Sequence, residues 1–192
     1  EEGTFAAAEK YLPELKAMGV DIVWLMPINP IGVEARKGSL GSYYSIIDCK
    51  AINPEFGTMK DFEKFLATAH GLGLKVIIDW VANHTSPDAL WITEKPADWY
   101  VRDEQGNTIV QYDWTDIAKL NYDNHDMRAE MEKAMCFWME RGIDGFRCDM
   151  ACEMPFDFWK SVIPSIRKDY PQMYWLAEGE HTELHNGSFD AS

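Results

Sequence analysis

Apolar residues in this chain switch between two spacings, and the switch repeats. Phe5, Ala8, Tyr11, Leu12, Leu15 and Met18 recur at helical spacing, which predicts a helix over residues 4–18. Thr4 is its expected N-cap, and Pro13 is expected to kink its middle. Gly19 stops it, and residues 21–27 form a continuous apolar run, the pattern of a strand buried on both faces. The unit then recurs three times. Helices are expected over 59–70, 127–141 and 156–168, with strands over 75–81, from Gly145 onward, and over 173–178. Four helix–stop–strand units predict a parallel βα architecture. Segments 28–58 and 82–126 follow strand ends and are rich in turn formers; the second is long enough to be a small inserted subdomain.

Polar residues collect where the strands end, the usual place for sites in such folds. Asp79 closes one strand and is followed by Asn83 and His84; Arg147 and Asp149 close the next; Glu178 and Glu180 close the last. Residues two apart on a strand share a face, so Arg147 and Asp149 point the same way. The arginine favours an ionised Asp149, while the apolar run before Glu178 favours a raised pKa there. Parallel strands lie ~4.8 Å apart, so carboxylates on neighbouring ends can approach to ~5 Å. A retaining glycosidase needs about that separation between nucleophile and acid/base. Each residue also has a plainer reading: Asp79 as the partner of Arg147, His84 as a satisfied loop histidine, and Tyr43 and Tyr44 as core.

The totals narrow the partners. A chain of 192 residues is one domain or part of a larger one, and its formal charge of -14 argues against nucleic acid and anionic membranes. No apolar run approaches the ~20 residues of a membrane span, which points to a soluble protein whose compartment stays open. The 8 Trp, 8 Tyr and 9 Phe include faces suited to sugar rings. Cys49, Cys136, Cys148 and Cys152 lack paired metal-ligand spacing and read as small buried thiols.

Six stretches, in order, carry a resemblance: 19–27 (GVDIVWLMP), 41–48 (GSYYSIID), 52–58 (INPEFGT), 79–85 (DWVANHT), 145–149 (GFRCD) and 176–178 (LAE). Together they resemble the catalytic barrel of the α-amylase family of glycoside hydrolases. The resemblance implies a (β/α)8 barrel acting on α-glucans or malto-oligosaccharides with retention of configuration. It assigns Asp149 as nucleophile and Glu178 as acid/base. It makes Arg147 the residue that orients the nucleophile, His84 and Tyr44 the contacts of the sugar at the scissile bond, and Asp79 a supporting aspartate. Residues 82–126 resemble the family's insertion after the third barrel strand. An α-glucosidase, a transglycosylase or a non-catalytic carbohydrate-binding relative are the alternatives.

The departures carry expectations of their own. The third carboxylate usual near the seventh strand has no counterpart here, and strands two to five of the barrel are the part represented. A portion of a longer enzyme is expected, the alternative being self-association of two copies through the open barrel edges. Cys152 and Glu153 stand where many amylases carry Lys-His. Asn83 matches a calcium ligand of many relatives, yet Lys119 replaces a common aspartate nearby, so no cofactor is firmly expected and calcium is a weak candidate.

Overall fold

The computed structural model describes residues 3–186 and 188–192. Its first helix is two: α1 (Phe5–Glu9), capped by Thr4, and α2 (Leu12–Ala17), with Pro13 in the opening turn. Proline has no N–H and its ring crowds the carbonyl four residues earlier. The chain therefore breaks near Lys10 and Tyr11 instead of kinking at Pro13, which falls where proline costs nothing. β1 (Ile22–Leu25) follows. Next come α3 (Met59–Gly71), opened by a reciprocal Thr58–Asp61 capping box, and β2 (Lys75–Trp80).

Residues 82–126 hold β3 (His84–Thr85), α4 (Leu90–Glu94), a short 3-10 turn (Ala97–Trp99) and β4 (Ala118–Lys119), with β3 and β4 paired antiparallel. α5 (His125–Met139) begins two residues before its expected start, because Asn124 accepts a hydrogen bond from the Met127 N–H. After it come β5 (Gly145–Cys148), a 3-10 turn (Ala151–Glu153), α6 (Phe156–Arg167), β6 (Tyr174–Ala177) and α7 (Thr182–Asn186).

The sheet is parallel, in the order β1-β2-β5-β6. It is the arc of four strands expected from half of a (β/α)8 barrel. Register decides what each face carries. Val23, Val76, Ile78, Trp80, Phe146, Cys148, Trp175 and Ala177 share the outer face and pack with Phe62, Phe65, Trp138 and Trp159 from the helices. The other face carries Ile22, Trp24, Ile77, Asp79, Gly145, Arg147, Tyr174 and Leu176. On that concave side Ile22 and Trp24 are 40% and 46% exposed, so the expectation of burial on both faces fails at β1. β1 is an edge strand among the described residues, and its inner face has no opposing strands to cover it.

Gly145 sets the spacing at the centre. A Cβ there would lie 2.2 Å from the Tyr174 carbonyl oxygen, so β5 and β6 can approach as they do only with glycine at this point. Gly142, with φ of +95°, turns the chain out of α5 and into β5. All four cysteines are free thiols; only Cys148 is fully buried, and Cys49, Cys136 and Cys152 are partly exposed, contrary to the expectation of four buried groups.

Candidate active site

Three strand ends deliver their polar groups to one guanidinium. Asp79 and Arg147 are direct neighbours in the β2–β5 register, and Arg147 Nη1 donates to both Asp79 oxygens, at 3.1 and 3.0 Å. The same nitrogen donates to Asp149 Oδ1 at 3.1 Å, and Nη2 lies 2.9 Å from Glu178 Oε1. The shared face expected for Arg147 and Asp149 is present. So is the plainer role of Asp79 as the arginine's partner, and Asp79 also accepts from the Tyr44 hydroxyl at 3.1 Å.

One cation facing three carboxylates leaves a surplus of negative charge, and the protonation states reflect it. Burial, with the neighbouring Asp79 and Glu178 charges, raises Asp149 to about 7 despite Arg147. Burial also raises Asp79 to about 6, against the pull of Arg147. Glu178 moves the other way: its partial burial is outweighed by the Met150 N–H, which donates at 2.9 Å, and by Arg147, so its carboxyl is held below the usual range. Both sequence-based expectations for the pair are thus reversed. The arginine is shared three ways and cannot overcome the burial of Asp149, while the half-exposed Glu178 has water and donors instead of an apolar wall. The two carboxylates meet the same guanidinium, each through one of its nitrogens. Asp149 is about half protonated at pH 7, and the pair holds a full proton only on the acid side of that.

Arg147, Asp149 and Glu178 line a cavity of about 450 Å³ with Tyr44, His84, Met150, Lys37, Trp114 and Asp116, and Asp79 lies buried behind its wall, held to Arg147 and Tyr44. All six residues singled out from the sequence therefore meet in one place. His84 is buried, and burial lowers it to about 4 although its ring donates to the Tyr44 carbonyl, so it is neutral at pH 7. Sequence reasoning missed four contributors. Trp24 on β1 hydrogen-bonds Asp79 and lies under the Arg147 guanidinium at 5.1 Å. Trp114 packs on the His84 ring at 6.0 Å, and Lys37 pairs with the buried Asp116 at 3.4 Å. The apolar run hid Trp24, which shares a face with Asp79. The others come from long irregular segments with no period to mark them.

Met150, directly after Asp149, sits in the left-handed region with φ of +50° and ψ of +37°. That backbone turns its N–H toward Glu178. Asn83, the candidate calcium ligand, turns its amide NH2 toward Gln111 Oε1 at 2.8 Å and His84 Nδ1 at 3.1 Å. Lys119 lines the same small cavity as Asn83, and among the described residues no three His, Cys, Asp or Glu side chains converge as metal ligands. An amide donor edge beside an ammonium does not fit a calcium ion.

Residues 2–108 and 94–187 match the family model described as "Alpha amylase, catalytic domain". An alpha-1,4-glucan:maltose-1-phosphate maltosyltransferase of Methylacidiphilum infernorum is 35% identical over 92% of this chain and 29% of its own length. Among solved structures, an alpha-amylase from Lactobacillus plantarum is 41% identical with a TM-score of 0.90, covering 97% of this chain and 44% of its own. A noncanonic maltogenic alpha-amylase from Thermotoga neapolitana is 38% identical with a TM-score of 0.89, over 97% of this chain and 43% of its own. The chain thus spans less than a third of that curated relative and less than half of either solved structure.

Proposed function

The chain belongs to the α-amylase family of glycoside hydrolases and transferases, and from that premise we propose that it carries the nucleophile and the acid/base of a retaining enzyme acting on α-glucans or malto-oligosaccharides. The observation that supports this most is the single guanidinium of Arg147 gathering Asp79, Asp149 and Glu178 at the strand ends, with Asp149 and Glu178 opening into a cavity edged by Tyr44, His84 and Trp114.

The reaction needs one proton on the pair. In the productive state the proton sits on Glu178 and Asp149 is ionised. Glu178 gives its proton to the glycosidic oxygen as that bond breaks, and an Asp149 oxygen bonds to the anomeric carbon. Water then attacks the glycosyl-enzyme, Glu178 takes the water's proton, and Asp149 leaves. The resting protonation is the reverse, so substrate must displace Glu178 from Arg147 and the Met150 N–H. Glu178 is half-exposed, which leaves it free to swing while Asp149 stays anchored. Arg147 then has only Asp79 and Asp149 to hold, which favours ionised Asp149. Tyr44 and Trp114 offer rings to the sugar, and neutral His84, whose ring nitrogens are held by Tyr44 and Asn83, brings no competing charge to the cavity wall. The donor set at Asn83 gives no reason to place a cation in these steps.

Transfer to a sugar hydroxyl in place of water is the second reading, favoured by the maltosyltransferase similarity. It changes only the acceptor. The test is to follow the full-length protein carrying these residues on soluble starch and on maltotriose, scoring free reducing ends and lengthened oligosaccharides separately. Reducing ends identify hydrolysis and longer chains identify transfer. Neither product, from a folded protein, would overturn the assignment. The 192-residue chain by itself is expected to turn over very poorly, because the family's third carboxylate has no counterpart in it.

A further inference from the structure

Behind the cavity a polar chain, buried at Asn83, His84 and Gln111 and open to solvent at Glu153, joins three segments of the sequence. Gln111 Nε2 donates to Glu153 Oε2 at 3.3 Å. Gln111 Oε1 accepts from Asn83 Nδ2 at 2.8 Å, and the same Asn83 nitrogen lies 3.1 Å from His84 Nδ1. Asn83 and His84 are 2% exposed and Gln111 is 9% exposed, so water competes little for these groups. Polarity spreads from one end. An ionised carboxylate only accepts, so Glu153 turns the Gln111 NH2 toward itself. That leaves the Gln111 carbonyl facing Asn83 and draws the Asn83 NH2 to it. A flipped amide at either position would set two acceptors, or two donors, against each other.

Gln111 also governs a surface feature. Its main chain forms an antiparallel bridge with Trp114, and its backbone carbonyl accepts the Trp114 N–H at 3.1 Å, so whatever fixes Gln111 also fixes this turn. The turn between them presents Trp114 to the His84 ring and to Tyr112, at 6.0 and 5.1 Å between ring centres. Glu153 ends the 3-10 turn that follows Asp149 and Met150. Neither Gln111 nor Glu153 lines the catalytic cavity.

We propose that Gln111 is a positioning residue: its side chain, oriented by Glu153, locks His84 and Trp114 as one unit against the loop that carries Asp149. The role deepens the α-glucan reading and rests on it. Because the sugar is to be gripped between groups from the insert and groups from β5, a loose Gln111 lets the two halves of the grip drift. A misplacement near 1 Å can cost about a hundredfold in rate.

The test exploits the direction of the hydrogen bonds. In the full-length protein, Gln111→Glu sets two carboxylates face to face and should lower kcat/KM on maltoheptaose about tenfold or more, chiefly through KM. Glu153→Gln keeps a bond, since its new carbonyl still accepts from Gln111, and should stay within about threefold of the parent. The double variant restores both bonds, the first with its direction reversed, as the new Gln donates to the new Glu, and the second unchanged, as the new Glu accepts from Asn83. It should recover to within about threefold, which a merely space-filling Gln111 would not do. An unimpaired Gln111→Glu, or a double variant no better than Gln111→Glu, would overturn the proposal. If the parent itself is inactive on maltoheptaose, the function reading fails separately. Tryptophan emission then decides the relay: a shift in Gln111→Glu that is reversed in the double variant supports it, and no shift or no reversal sinks it.

Discussion

The two ends of the same sheet are built on opposite charge arithmetic. At the amino ends of β2 and β5, Asp144 accepts from the Val76 N–H at 2.8 Å and meets His70 Nε2 at 2.7 Å and Lys75 Nζ at 3.4 Å. One carboxylate there has an amide and two basic groups. At the carboxyl ends, one guanidinium must serve three carboxylates. The first cluster has more donors than it needs and sits partly in water. The second has too few and is largely dry. Favourable pairing at one end and a surplus of like charge at the other is the pattern of a scaffold carrying a reactive site, in which stability and reactivity are supplied by different ends.

The contrast yields a ranked set of expectations. Asp149→Asn should abolish turnover, by about 10⁴-fold or more, and yet melt higher than the parent at pH 8 by about 2–8 °C, since it removes one buried like charge. A lower midpoint would show the site is not under strain. Arg147→Leu should do the reverse of relief, leaving the carboxylates without a cation and costing about 3–5 kcal/mol by urea titration. If its stability were unchanged, the surplus-charge account would be wrong. At the other end, Asp144→Ala should cost about 1–3 kcal/mol while kcat and KM hold within about twofold. Loss of activity at full stability would mean the two ends are not separate.

The smallest effect is one of pH. Asp149 titrates near 7 when folded and at the ordinary carboxylate range when unfolded, so the folded state holds the extra proton between them. Its contribution is complete below about pH 4 and is lost as the pH rises through 7. Asp79, raised to about 6, acts in the same direction. The melting gain of Asp149→Asn should therefore be larger at pH 8 than at pH 5. Equal gains at both would place the relief outside the titration of Asp149.

Much of this was legible in the sequence because strands enforce a period of two. Asp79, Arg147, Asp149 and Glu178 meet since each lies at the end of an apolar run, and register then places Asp79 against Arg147. The helix stops were equally plain. What the sequence could not show was the sharing of one cation, because each carboxylate was considered with its nearest neighbours in the chain. Along the chain Asp149 has Arg147 two residues away, while two competitors arrive from other strands. Glu178 was judged by Trp175 to Ala177 before it, although strand residues alternate faces and Trp175 and Ala177 belong to the outer layer. Gln111, Trp114 and Lys37 come from irregular segments, whose side chains are brought inward by tertiary contacts alone.

Met150 holds a consequence of another kind, one of mutational cost. A methionine in left-handed backbone gives up about 1–2 kcal/mol that glycine would not. Glycine there would be easy to accept on grounds of stability. It would also free the N–H that now points at Glu178 to sample many directions, and the carboxylate would lose a fixed donor. Selection for a sturdier fold and selection for a well-aimed amide therefore pull this single position apart.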